Sequence, residues 1–258
     1  MMFSPSLSPR PPAPSLKETS TMANTPTIVL VHGFWGGAAH WSKVIVQLSK
    51  MGYDSIFAVE NPLTSLADDA ARTKQMIAQQ KGPVLLVGHS YGGAVITEAG
   101  NQPNVVGLVY IAAFAPDAGE NLLDIGNAFP APPGVANAVP DSDGYVWINP
   151  KKFQESFCQD LSADEALVMA VTQRAPVGST FANKVTVPAW KSKPSWYQIS
   201  SEDRMIAPAN EKRMAERMGA KKIITLAAGH ASLASMPIPV CNLIDEAAKE
   251  TATLKAVA

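Results

Sequence analysis

The sequence is short of cysteine, of charge and of long apolar runs. Two cysteines, Cys158 and Cys241, occur in 258 residues, too few for a disulfide framework. No Cys-x-x-Cys or His-x-x-x-His pair is present, which removes the usual zinc spacings and leaves the thiols best read as small buried hydrophobes in a reducing compartment. Lys+Arg number 21 against 22 Asp+Glu, with no dense basic block, so the chain lacks the electrostatic footprint that polyanionic nucleic acid or an anionic membrane surface requires. No stretch approaches the roughly 18 apolar residues of a membrane span. Charged residues make up 17% of the chain and hydrophobic ones 47%, which excludes wholesale disorder and suits an enclosed enzyme or binding domain. The length fits one large domain, or one domain carrying an insertion. We expect a cytoplasmic protein, monomeric or a homodimer, acting on a small molecule.

Residues 1–24 carry Pro5, Pro9, Pro11, Pro12 and Pro14 among Ser and Thr, a composition with little to bury that predicts a disordered extension. It holds one Arg and no apolar core followed by a small-residue cleavage site, so it does not read as a secretory signal. Met22 resembles a second natural start, directly before the first strand.

From Thr27 onward, short β-rich apolar runs alternate with amphipathic stretches. The runs are 27–31, 55–59, 83–88, 105–113, 195–200 and 222–227; helical composition occupies 38–51, 64–80, 91–101, 208–218 and 240–250. This is the rhythm of β/α units around a mainly parallel sheet with helices on both faces, an α/β fold. Pro208 opens one helix and Gly219 follows its end, as helix boundaries favour. Between Phe114 and Pro194 the rhythm stops. About eighty residues pass with Pro and Gly clusters and then a helical segment around 150–174, too long for an unstructured loop. We expect a core of 25–115 and 195–258 and a mostly helical inserted cap at 116–194.

Within "PVLLVGHSYGGAVITEAG", an apolar strand runs into Gly88-His89-Ser90-Tyr91-Gly92-Gly93 and a helix follows at once. Glycines two before and two after Ser90 permit the tight strand-to-helix turn that presents a nucleophilic hydroxyl. A serine hydroxyl requires a base and a group to orient that base. His230, in "TLAAGHASLASMP", lies just past the last apolar strand, where a loop can return to Ser90. His32, His40 and His89 are expected in structural hydrogen bonding. The acid should follow a strand between Ser90 and His230. Asp203 is favoured in "SSEDRMIAP", with Glu202 beside it and Asp117, one strand earlier, as alternatives. The oxyanion of acyl transfer needs donors. These are expected from the backbone N–H of Tyr91 and of Phe34 in "HGFWGG", where Gly33 and Gly36 relax the chain.

Together "VLVHGFWGGAAHW", "LVGHSYGGAVI", "LVYIAAFAPDAGE", "SSEDRMIAP" and "AAGHASLASMP" resemble the α/β-hydrolase superfamily, and within it small bacterial esterases related to plant methyl-salicylate esterases and hydroxynitrile lyases. The resemblance covers Thr27 to about Glu250. It implies cofactor-free, metal-free ester hydrolysis by a Ser90–Asp203–His230 triad beneath a cap. Phe129, Trp147, Phe153, Phe157, Phe181 and Trp190 of the insertion, with Trp35 and Phe114 of the core, would supply an aromatic wall. Gly33, Trp35, Phe114 and Trp147 are the candidates to face substrate. Cyanohydrin-cleaving relatives carry a threonine after the first-strand histidine and a lysine after the catalytic one. Gly33 and Ala231 stand here, which argues against the lyase reaction. Lactonase, pyrethroid-type and carbon–carbon bond hydrolases share the triad. A cofactor-free oxygenase or perhydrolase, and a slow-turnover ligand receptor, are further readings of the same scaffold.

Overall fold

The computed structural model describes residues 25–256; the extension expected at 1–24 lies outside the described residues. Six strands form one sheet: β1 (Thr27–Val31), β2 (Ile56–Val59), β3 (Val84–His89), β4 (Val105–Ile111), β7 (Ser195–Ser200) and β8 (Lys222–Leu226). Their order is β2-β1-β3-β4-β7-β8, and every neighbouring pair is parallel. Alternate side chains explain the unbroken apolar runs. Ile28 and Leu30 of β1, with Leu85, Val87 and Val109, pack under α1 (Ser42–Lys50) and α8 (Pro237–Ala256). Val29 and Val31, with Leu86, Tyr110 and Tyr197, pack under α2 (Leu66–Ala78), α3 (Tyr91–Ala99) and α7 (Pro208–Arg217). Both faces of the central strands are therefore dry, as parallel sheets require. The outermost strands depart from this pattern: Phe57 of β2 and Ile223 of β8 are exposed, because helices cover the middle of a twisted sheet better than its edges.

The chain leaves β1 toward β2 on one side and returns to β3 on the other. The crevice above the carboxyl ends of β1 and β3 is thus a topological switch point, where open α/β sheets bind ligands.

The excursion between β4 and β7 holds α4 (Leu122–Gly126), a hairpin of β5 (Ala138–Pro140) and β6 (Val146–Ile148), α5 (Phe153–Phe157) and α6 (Ala163–Thr172), joined by 3-10 turns. The helical stretch expected at 150–174 is really two helices, split at Cys158–Ser162, with a reciprocal capping box between Ser162 and Glu165 starting the second. The hairpin emerges from the Pro/Gly-rich segment. Three-residue strands are too short for a period-two pattern to be read, and the turn is built by Asp141, whose carboxylate accepts the N–H groups of Asp143 and Tyr145. The end of the excursion is tied to the core where Val177 N–H donates to the Leu63 carbonyl and Asn183 accepts from Leu66 N–H. Among the described residues no helix is long and apolar enough to cross a membrane.

Candidate active site

Ser90 ends β3 and begins α3 with φ 54° and ψ −127°, a conformation costly for a residue with a side chain. The turn closes only because its neighbours lack one: a Cβ on Gly92 would stand 2.3 Å from the Val31 carbonyl oxygen, and one on Gly88 2.6 Å from that of Gly92. Ser90 Oγ lies 2.8 Å from His230 Nε2, and His230 Nδ1 lies 2.6 Å from Asp203 Oδ2. Asp203 is itself held by the N–H groups of Met205 and Ile206, both donating to Oδ1. All three side chains are buried. The structure therefore brings Ser90, His230 and Asp203 into one hydrogen-bonded chain. The alternatives stand apart. Asp117 pairs with Lys191 near the surface, and Glu202 is exposed with its carbonyl accepting from Gln159.

The other histidines are buried and held neutral. Burial pushes His32 and His40 down to about 4 and His89 well below its ordinary value. His89 bonds through Nε2 to the His230 carbonyl, bracing the backbone of that loop. His32 Nε2 accepts from Asn61 N–H, so its Nδ1 carries the proton and donates to the Gly33 carbonyl at 2.8 Å. That carbonyl belongs to the same planar trans peptide as Phe34 N–H, which must then point the opposite way. Neither Phe34 N–H nor Tyr91 N–H has a protein acceptor among the described residues, whereas Trp35 N–H is taken by the Arg174 carbonyl. The rings of Phe34 and Tyr91 stack at 3.9 Å, and the Tyr91 hydroxyl donates to Asp69 at 2.6 Å. Side chains thus lock the two backbone donors to one another.

A cavity of about 440 Å³ opens above Ser90. Its wall is almost wholly apolar: Phe34, Trp35 and Phe114 from the core, Phe181, Leu122, Val135 and Val146 from the excursion, and Met205 and Ile206 from the Asp203 loop, with Asn127 and Asn210 as its amides. Trp35, at φ 58°, is fastened across the cavity rim by its indole N–H to the Val146 carbonyl. Trp147 does not line the cavity. Successive strand residues face opposite ways, so with Val146 inward Trp147 points outward, 40% exposed, and donates to Asp141. Gly33 does not appear in the wall either. It packs beneath Ser90, where an added Cβ would meet Ser90 Cβ at 2.6 Å, so no threonine fits there without displacing Ser90. Phe153, Phe157 and Trp190 are packing residues, but Phe157 sets its edge on the His230 ring at 4.9 Å. Among the described residues no group of His, Cys, Asp and Glu could hold a metal ion. Cys158 and Cys241 are buried free thiols pushed up to about 12, hence inert.

A strained serine at a strand-to-helix turn, hydrogen-bonded to histidine and acid over a parallel sheet, defines the architecture of the α/β hydrolases. A model of the alpha/beta hydrolase family matches residues 28–243, and the chain belongs to that family. It is similar to the alpha/beta hydrolase nvfD of Aspergillus novofumigatus, 28% identical over 248 residues that cover 87% of this chain and 97% of that protein. Among solved structures it is similar to polyneuridine aldehyde esterase, with a TM-score of 0.74 at 20% identity over 86% of this chain and 99% of the other. It is similar also to a pyrethroid hydrolase from Sphingobium faniae, with a TM-score of 0.71 at 20% identity over 86% and 97%. At those identities the structural likeness shows the fold. The family and its hydrolase relatives support a hydrolase.

Proposed function

We propose that the protein is a carboxylic ester hydrolase for small to medium, uncharged esters with a hydrophobic or aromatic part, working through Ser90, His230 and Asp203 and an acyl-enzyme. The observation that carries this reading is the continuous hydrogen-bond chain from Asp203 through His230 to Ser90 at the floor of an apolar cavity. Ser90 Oγ attacks the ester carbonyl as His230 Nε2 takes its proton, and Asp203 stabilises the imidazolium that forms. The oxyanion is received by Phe34 N–H and Tyr91 N–H, with the N-terminus of α3 behind them. His230 then protonates the departing alcohol. Water, deprotonated by the same imidazole, releases the acid and restores Ser90. With no charged side chain in the wall, neutral esters enter without a desolvation penalty for the protein, and the carboxylate product is expelled for the same reason.

The fit of a pyrethroid hydrolase and of an esterase to the same fold makes those two ester types the first substrates to try. The test is a panel of p-nitrophenyl esters, aryl methyl esters, lactones and pyrethroids with wild type and Ser90→Ala. Turnover abolished in the variant supports the mechanism. Absence of hydrolysis above background, or full activity in Ser90→Ala, overturns it.

A further inference from the structure

Behind the triad acid lies a second carboxyl group that the mechanism does not use. Glu211, on the first turn of α7, is 0% exposed. Its Oε2 accepts Ser200 N–H at 2.9 Å, at the end of β7 and in the same turn as Asp203, whose N–H bonds the Ser200 carbonyl. Its Oε1 finds no N–H or O–H donor in the protein, and the carboxyl group that acts on it most strongly is that of Asp203. The other titratable group facing it is Tyr197, whose hydroxyl is spent on the Ala113 carbonyl; His230 lies beyond Asp203. No cation is among the groups that act on it.

Two carboxylates cannot both be ionised in a buried pocket without a cation between them. Asp203 meets the imidazole and two backbone N–H donors, whereas Glu211 meets one. The proton therefore belongs to Glu211, and burial together with Asp203 holds its carboxyl well above the usual range. A neutral carboxyl resolves both oddities of the site: Oε1 ceases to be an acceptor without a donor and becomes the donor itself.

We propose that Glu211 is a positioning residue, held as the neutral acid, whose O–H donates to Asp203 and completes the set of donors that fixes this carboxylate against His230. The inference rests on the triad reading for its kinetic test but not for its spectroscopic one. Infrared difference spectra of the full-length protein at neutral pH, wild type against Glu211→Gln, should show the carbonyl stretch of one protonated carboxylic acid lost in the variant. Kinetically, Glu211→Gln keeps an acceptor for Ser200 N–H and an N–H for Asp203, so its kcat for a p-nitrophenyl ester should stay within about threefold of wild type. Glu211→Met, of similar volume and without a donor, should lose kcat by about tenfold to a hundredfold at unchanged KM, the worth of one hydrogen bond to a charged group. The acidic limb of its kcat/KM profile should also move to higher pH, since a less well-solvated Asp203 binds the imidazolium more strongly. Absence of the acid carbonyl band in wild type overturns the proposal, as does a Glu211→Met enzyme with wild-type kcat and pH profile. If Glu211→Met does not fold, the infrared comparison with Glu211→Gln still decides. A protein that hydrolyses no ester yet shows the band would sink the proposed activity and leave the protonated Glu211 standing.

Discussion

Asp69 anchors the turn that carries Ser90, and its titration should be visible in the stability of the whole protein. The carboxyl is fully buried on α2, with Oδ1 accepting Leu63 N–H at 2.7 Å and Oδ2 accepting the Tyr91 hydroxyl at 2.6 Å. Both bonds favour the ionised form, but burial outweighs them and raises the group from 3.8 to about 6. An unfolded chain releases this proton near 3.8 and the native protein only near 6. The native state thus loses relative stability as pH climbs between those values and loses nothing more above them. The difference corresponds to about 3 kcal/mol. In Asp69→Asn the titration is gone. The amide keeps an acceptor for Leu63 N–H, but its NH₂ meets the Tyr91 hydroxyl and forces that bond to reverse, a pH-independent cost of about 1–2 kcal/mol. Urea denaturation at pH 4, 5, 6, 7 and 8 should therefore find the variant less stable than wild type near pH 4. The gap should shrink or invert by about 2.5 kcal/mol on reaching pH 7 and stay level to pH 8. A gap that is the same at pH 4 and pH 7 refutes the reasoning, because it would mean that Asp69 ionises in the native protein as it does unfolded.

Three further substitutions, two of them paired with a control, probe the site kinetically. Asp203→Asn should lower kcat by about 10⁴-fold through the wrong imidazole tautomer, whereas Asp117→Asn, breaking only the pair with Lys191, should leave it near wild type. His32→Ala frees the Gly33–Phe34 peptide and should reduce kcat by up to about 10²–10³-fold, the worth of one oxyanion donor, with KM little changed; a rise in KM alone would remove His32 from that role. Phe181→Ala opens the cavity wall and should raise KM for aromatic esters several-fold, while Trp147→Ala, on the outer face of the hairpin, should leave kcat/KM within about twofold.

What could be read from the sequence was what a local pattern encodes. Ser90 announces itself because strand, glycines and helix are contiguous, and the clashes that Gly88 and Gly92 avoid are with Gly92 itself and with the adjacent β1. Asp203 and His230 follow from the same logic, each lying just past the carboxyl end of an apolar run, and the structure sets them within hydrogen-bond reach of one another. Asp69 and Glu211 carry no such mark. Each sits on an amphipathic helix where a carboxylate is ordinarily solvent-facing, and only tertiary contacts, with Tyr91 for one and with Ser200 for the other, turn it inward. The cavity wall was hardest of all. Aromatic residues in the insertion are equally suited to packing, to substrate or to the surface, and composition does not separate Phe157 on the imidazole from Phe181 on the cavity or Trp147 on the outer face of the hairpin. In β6 the decision rests on a single residue of register: had Trp147 and Val146 exchanged places along that three-residue strand, the indole would fill the space above Ser90. Which side chain of β6 faces the cavity is therefore set by a parity that hydrophobicity cannot report, in a strand too short to display it.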